Sequence, residues 1–399
     1  MNYHIIPQDS FFTFYIEDVY KLHQEHNNIF WIRGNENDEP DKRIFSTNRP
    51  VVYLGTEKGD IIRRLRAIHP NDKIIVFWYD TFIGECILES AIPNPLYVTI
   101  MGGDFYNEID SINDKWLYDR HTRRIASRLY TPQINFHRKP SNWGKIIADC
   151  REKRKFKKNI AEAYRRKEQT VARINYLMTS ECNEAEVDLV KRLYPSCHAE
   201  YCCIALNQNF DTSCDIATPP PYDGSRSLKV LLGNSAYPMN NHIDACLLLQ
   251  RSLPADYFLL TPLSYGDKPY ADLFLKWGKK HLGKKFQPIT DYMARQDYIN
   301  MLASIDIAVM FHNRQQAFGN IITMLTLGKP VFMKSQSVIY TLLKKIGIAH
   351  VYDVQQLRHL DLSTVCQAAR ADRPNTIAIL RRYYSEESRL RYMSDLIGC

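Results

Sequence analysis

Residues 228–243 read LKVLLGNSAYPMNNHI. An apolar run of strand length ends at Leu232, and Gly233 lets the backbone turn. Helical periodicity then opens at His242, placing Ile243, Cys246, Leu247 and Leu249 inward. A short apolar run, a turn and an amphipathic helix make one βα unit of a parallel sheet. The unit recurs downstream. Strands are expected at 257–262, 286–289, 305–311, 330–333 and 349–351, with helices at 242–251, 270–281, 295–304, 321–327 and 337–345. Six strands with helices between them suffice for a complete doubly wound domain.

The same alternation runs upstream. Strands are expected at 3–6, 29–32, 51–54, 73–79, 97–101, 173–178 and 201–205, with amphipathic helices at 60–68 and 183–194 among them. Between the two series lies NQNFDTSCDIATPPPYDGSRS, residues 207–227, whose three consecutive prolines and polar side chains read as an interdomain linker. The expected organisation is therefore a first domain over 1–215, a linker over 216–227, a second domain over 228–361 and a helical tail over 362–399. The fold class is α/β: two Rossmann-like doubly wound domains, with a cleft between the C-terminal edges of their sheets where ligands bind.

Composition narrows the partners. The 399 residues carry 52 Lys and Arg against 44 Asp and Glu, with 45% hydrophobic residues, which excludes gross disorder and fibrous classes. The basic excess is concentrated in REKRKFKKNIAEAYRRKE, residues 151–168, which holds nine Lys and Arg against three Glu. Its aromatics, Phe156 and Tyr164, are too few for base stacking, so no nucleic-acid partner is expected. Lys153, Arg154, Lys155, Lys157, Lys158, Arg165 and Arg166 suit either a solvated helix face or an anionic lipid surface. The ten cysteines show neither CxxC pairs nor zinc spacing, which suits reduced thiols. The N-terminal MNYHIIPQDSFFTFYIED lacks the basic start and continuous apolar stretch of a secretory leader. No run approaches membrane-spanning length, so the chain is expected to be soluble or to sit on a membrane surface.

Three segments carry candidate chemistry. Gly233, Asn234 and Ser235 follow a strand, where exposed amides and a hydroxyl can meet phosphate oxygens. FHNRQQAFGN, residues 311–320, follows another. There Arg314, Gln315 and Gln316 crowd a strand end, and Gly319 and Asn320 open the next helix, whose free amides favour an anion. The third is MGGDFY, residues 101–106. Gly102 and Gly103 open space at a strand end, and Asp104 is positioned to act as a general base, to orient a sugar or to cap the next helix. His242 and His312 stand at loop positions. No nucleophile elbow, P-loop, HExxH or calcium loop is present, and a bound metal is not required.

Leu232-Gly233-Asn234-Ser235 followed by Asn241-His242-Ile243 resembles the GNS…NEHI block of the bacterial TDP-N-acetylfucosamine:lipid II N-acetylfucosaminyltransferases. These form glycosyltransferase family 56, also called 4-alpha-L-fucosyltransferases. Arg314-Gln315-Gln316 with Gly319 resembles that family's ARQQGIG block, Gly328-Lys329-Pro330 its AGIP segment, and Gly103-Asp104-Phe105-Tyr106 its WGADLYEL block. Tyr79-Asp80-Thr81-Phe82 stands where the family has His-Gly-Gln-Phe. The blocks occur in the family's order, and the likeness is best from about 228 to 345.

The resemblance implies a GT-B glycosyltransferase. It implies a nucleotide-sugar donor held by Gly233, Asn234, Ser235, His242, Arg314, Gln315, Gln316, Gly319 and Asn320, with no cofactor beyond the donor substrate. Arg314 would act in catalysis on the leaving diphosphate. Gly102, Gly103, Asp104 and Tyr106 would lie on the acceptor side, with Asp104 as base or orienting group. The acceptor would be a polyprenyl-diphosphate-linked saccharide, met at the cytoplasmic face of the bacterial inner membrane by a peripheral enzyme of surface-polysaccharide synthesis. The sugar would be fucose-type, a 4-acetamido-4,6-dideoxyhexose or fucose. A sugar-nucleotide epimerase or hydrolase on the same fold, and a GDP-fucose-dependent transferase with another acceptor, are the competing expectations.

Overall fold

The computed structural model describes residues 1–9, 11–36, 47–106, 116–132, 143–206 and 216–398. From the N-terminus run β1 (Asn2–Ile6), α1 (Phe11–Lys21), β2 (Asn28–Ile32), β3 (Val52–Tyr53), α2 (Lys58–Arg66), β4 (Lys73–Phe77), α3 (Thr81–Ser90), β5 (Leu96–Ile100), the single turn α4 (Gly103–Tyr106), α5 (Arg120–Tyr130), α6 (Trp143–Val171), β6 (Tyr176–Thr179), α7 (Glu184–Leu193) and β7 (Glu200–Cys203). There follow β8 (Leu228–Leu232), α8 (His242–Leu249), β9 (Tyr257–Pro262), α9 (Lys268–Leu282), β10 (Phe286–Ile289), α10 (Arg295–Ala303), β11 (Ile307–Met310), α11 (Phe318–Thr326), β12 (Val331–Met333), α12 (Val338–Lys345), β13 (Val351–Asp353), α13 (Leu362–Ala371), α14 (Arg373–Tyr384) and α15 (Glu386–Ile397).

All strand pairs are parallel. One sheet has the order β3-β2-β1-β4-β5-β6-β7 and the other β10-β9-β8-β11-β12-β13. Each order runs outward from its first strand, then returns to the centre and continues on the other side. That reversal creates a crevice at the C-terminal ends of β1 and β4 in one sheet and of β8 and β11 in the other. The central strands explain themselves: Ile74–Phe77 of β4 and all of β11 are at most 1% exposed, as parallel strands covered on both faces must be. Helices start where side chains replace the missing carbonyl partners. Asp80 Oδ1 accepts from Ile83 N at the start of α3, and Asp267 Oδ1 from Tyr270 N in α9.

The strands expected from the sequence are all present, and the two-domain α/β class holds. The division of the chain differs from the expected boundaries. One compact unit comprises Met1–Ile109, Asn159–Asn207 and Glu386–Cys399, the other Asp110–Lys158 and Gln208–Ser385. α5 thus belongs to the second unit despite its position in the chain, because Ile125 and Leu129 pack on that unit's core. Residues 362–399 are not one tail. α14 packs against α11 of the second unit. α15 instead returns to the first, where Met393, Leu396 and Ile397 enter the core and Arg389 pairs with Asp18. Residues 216–227 are not a free linker either: Tyr222 is buried in the second core, and Arg226 makes a two-point contact with Asp306. Residues 207–215 lie outside the described residues.

Candidate functional site

Gly233 follows β8 with a φ of +67° and donates its amide to Val309 O of β11 (3.0 Å). A Cβ here would lie 2.4 Å from Asn240 Oδ1 and 3.1 Å from His242 Nε2, so both the backbone conformation and the packing demand glycine. Asn240 is the organiser of the turn. Its Oδ1 accepts from Asn234 N (3.0 Å) and bonds His312 Nε2 (2.8 Å). Its Nδ2 donates to Ser235 O (3.0 Å) and Tyr237 O (3.1 Å). Ser235 Oγ, fully buried, accepts from the same amide (3.2 Å) and stands 3.4 Å from Gln316 Nε2.

These bonds correct part of the sequence expectation. The amides of Gly233 and Asn234 and the hydroxyl of Ser235 are committed to holding the turn. His242 is in the core beneath it: the ring is 0% exposed, stacks on Phe274 with 4.6 Å between centroids and bonds Tyr270 OH through Nδ1 (3.1 Å). Burial drives its pKa down to about 3, so the ring is neutral.

The second segment meets the first. Gln316, 8% exposed, donates through Nε2 to Asn234 Oδ1 (3.0 Å), which joins the loop after β11 to the turn after β8. Its Oε1 is buried without a protein partner. Asn234 Nδ2 in turn donates to Tyr265 OH (2.9 Å). Arg314 is half-buried, with Nε 3.0 Å from Met239 Sδ and Nη1 donating to Gln315 O (3.0 Å). Ala317 precedes α11 at φ +62°, a left-handed conformation costly for a residue with a Cβ. Gly319 in the first turn of α11 is exposed, and nothing lies within 4 Å of where its Cβ would be. Asn320 beside it bonds Tyr298 OH (2.8 Å).

A third element was not visible in the sequence. Asn241, at φ +50°, donates to Leu117 O, Met239 O and Phe311 O, and accepts from Asp119 N (2.8 Å). Asp119 also engages Lys334 Nζ and Asn313 Nδ2, and Lys334 donates to Asn313 Oδ1 (2.7 Å). Asp244 on α8 caps α5 from outside, accepting from His121 N (2.9 Å), Thr122 N (2.8 Å) and Thr122 Oγ1 (2.8 Å). The segment 117–122 is thereby fastened along the crevice end of β11 and β12. Asn241 and Asp244 of NNHID carried the signal, but their partners in 117–122 lie more than 100 residues away in the chain.

In the first unit, Gly102 adopts φ +99° and Gly103 opens α4. Asp104 is 1% exposed, and its two oxygens accept from Tyr79 N (3.0 Å) and Met101 N (3.1 Å). Burial raises its pKa to about 6 against the pull of the Lys167 ammonium. Tyr106 is buried and donates to Glu186 Oε1 (2.9 Å). Asp104 ties the ends of β4 and β5 together and Tyr106 ties α4 to α7, and both are buried, contrary to the expectation that they face an acceptor. The basic helix α6 exposes Arg154, Lys155, Lys157, Lys158, Arg165 and Arg166, while Lys153 is half-buried. It is divided between the units, to Lys158 in the second and from Asn159 in the first. Among the described residues no helix is long and apolar enough to cross a membrane, and no three His, Cys, Asp or Glu side chains are grouped to hold a metal ion. No disulfide joins the eight described cysteines.

The fold is that of GT-B glycosyltransferases. The lipopolysaccharide outer core galactosyltransferase WaaB in its apo form matches with a TM-score of 0.58 at 8% identity, over 100% of this chain and 99% of that one. A glycosyltransferase from Rickettsia africae ESF-5 gives 0.59 at 12% identity (100% and 97% covered), and sucrose-phosphate synthase from Thermosynechococcus elongatus 0.59 at 10% (100% and 98%). Identities this low speak for the fold alone. The sequence itself goes further: residues 189–392, just over half of the chain, match the model of the 4-alpha-L-fucosyltransferase family, glycosyl transferase group 56, and the chain belongs to that family. It is a glycosyltransferase, acting on a nucleotide-sugar donor and a glycan acceptor.

Proposed function

We propose that this chain moves a fucose-type sugar, 4-acetamido-4,6-dideoxyhexose or fucose, from a nucleotide diphosphate to a lipid-linked glycan at an anionic membrane surface. The observation that carries the reading is the convergence of Arg314, Gln316 and the start of α11 on the switch point between β8 and β11. Ligands of open α/β sheets bind at such points.

In glycosyl transfer the bond from the anomeric carbon to the diphosphate breaks as the bond to the acceptor hydroxyl oxygen forms, and the hydroxyl proton is released to solvent. Negative charge therefore grows on the departing diphosphate. Arg314 supplies charge-assisted donors for it, and the first amides of α11, beside the open Gly319, supply the positive end of a helix. The unpartnered Gln316 Oε1 is an acceptor suited to an N–H of the donor. With this charge provision the transfer needs no metal. Asp104 is assigned a positioning part in the first unit, since both its oxygens are engaged by backbone. The exposed basic face of α6 supports docking on anionic lipid.

A thermal-shift panel against TDP, UDP, GDP and CMP, with and without magnesium, tests the reading. A nucleotide at a hundred times its dissociation constant stabilises the protein by ~2.7 kcal/mol. A selective, magnesium-independent shift with TDP supports the acetamido-sugar donor, and one with GDP supports fucose. Absence of any shift removes the donor site.

A further inference from the structure

At the switch point of the first sheet lies a pocket of about 530 Å³, within the ordinary range of small-molecule sites. Gln8, Arg33, Gly55, Trp78, Asp80 and Phe82 are among its lining residues. They follow β1, β2, β3 and β4, so the pocket sits at the C-terminal ends of four parallel strands. Trp78 and Phe82, each 39% exposed, present aromatic surface to this pocket.

Trp78 is also strained. Its φ is +62°, a rare conformation for a bulky residue, and it persists because its carbonyl is held twice, by Arg33 Nη1 (2.9 Å) and by Asp80 N (3.0 Å). Arg33 Nη2 in addition pairs with Asp80 Oδ2, and Asp80 Oδ1 caps α3. Arg33 and Asp80 thus cooperate to keep the Trp78 backbone in a disfavoured conformation, with part of the residue's surface in solvent.

From this geometry we infer that the pocket is a binding subsite for an uncharged sugar ring of the acceptor glycan, with Trp78 and Phe82 as apolar platforms and the Arg33–Asp80 pair bonding its hydroxyls. A pyranose has apolar C–H faces that lie well on aromatic rings and a polar rim that both donates and accepts. The guanidinium offers donors and the carboxylate acceptors to that rim. Because the two charges are paired, the pocket is locally neutral, and Asp80 would repel a phosphate or diphosphate. The inference rests on the glycosyl-transfer reading and assigns part of its acceptor recognition.

The test uses the full chain and two probes, methyl α-N-acetylglucosaminide and inorganic pyrophosphate, followed by saturation-transfer NMR. The wild type should transfer magnetisation to the glycoside, pyrophosphate should not displace it, and Trp78→Ala and Phe82→Ala should each weaken binding roughly tenfold, equivalent to ~1.4 kcal/mol. Both variants should keep the nucleotide-induced thermal shift, which reports an intact second unit and donor site. Glycoside binding unchanged in both variants, no glycoside signal in the wild type, or displacement by pyrophosphate would each overturn the inference. A variant that loses the nucleotide shift is replaced in the comparison by the other. Loss of the nucleotide shift in the wild type itself strikes the donor reading, whereas loss of glycoside binding alone strikes only this subsite.

Discussion

Asn240 Oδ1 fills the space beside Gly233, 2.4 Å from where a Cβ would stand, and from there it bonds both the Asn234 amide and His312. One carboxamide thus fixes the turn after β8 and the loop after β11 relative to each other. Gly233→Ala should cost about 2–3 kcal/mol, part from the left-handed backbone and part from displacing Asn240. The loss is read in denaturant unfolding. A nucleotide shift reduced beyond the stability loss would show that the turn shapes the donor site.

Arg314 is half-buried, with Nε against Met239 Sδ and Nη1 donating to Gln315 O. Arg314→Ala should lower turnover ~100-fold, the typical loss of one charge-stabilising donor, at nearly unchanged unfolding temperature. Arg314→Lys should recover only part of it, because an ammonium does not reproduce the planar fork. Normal turnover in the alanine variant would sink the role.

Asp244 caps α5 with three hydrogen bonds from outside that helix. Asp244→Ala should cost about 1–3 kcal/mol and accelerate hydrogen exchange at the amides of His121 and Thr122 before those of the sheet. Unchanged exchange there would show that α5 is held by its apolar face alone.

Three histidines are kept neutral by burial: His242 with a pKa lowered to about 3, His4 to about 4, and His312 well below its usual value. The unfolded chain takes up these protons near pH 6.5 and the folded chain does not. Their contribution is therefore full above pH 6.5 and is lost as pH falls toward their folded values, at up to ~1.4 kcal/mol per pH unit for each ring. Asp104, raised to about 6, acts in the opposite sense: its contribution is present below about pH 4 and lost as pH rises through 6. Unfolding free energies from pH 7 to 5 should fall, and His242→Asn should flatten the slope by about one proton.

Replacing exposed Arg154, Lys155, Lys157 and Lys158 with Glu should weaken sedimentation with anionic vesicles, with ~1 kcal/mol attached to each basic side chain near such a surface. Nucleotide binding should persist. Equal vesicle binding by both proteins would leave α6 as a solvated helix.

The strands were readable because each is a short apolar run covered on both faces, and that pattern is local. The helices α1, α3 and α5 were less so. α5, RHTRRIASRLY, carries four arginines in eleven residues, and its place depends on Asp244, which the chain reaches more than 100 residues later. The site was legible as two segments. Arg314, Gln316 and Gly319 stand at the crevice as their position after a strand implied. The burial of Ser235, His242, Asp104 and Tyr106 was not legible, since the same polar residue type serves a ligand or a turn equally well in sequence. Asn240 escaped notice because its importance lies in bonds that join residues 234–237 to His312, 72 residues further on.

The sequence by itself determined the alternation of strand and helix, the turn at Gly233 and the family, because periodicity, a glycine and ordered short blocks are properties of neighbouring residues. Only the tertiary structure decided that α5 belongs with the second sheet and α15 with the first, that Asp104 braces a strand end, and that Trp78 stands strained at the mouth of a pocket. Those outcomes depend on which distant groups satisfy each buried amide and carboxylate, and such partners are set by how the sheets and helices pack.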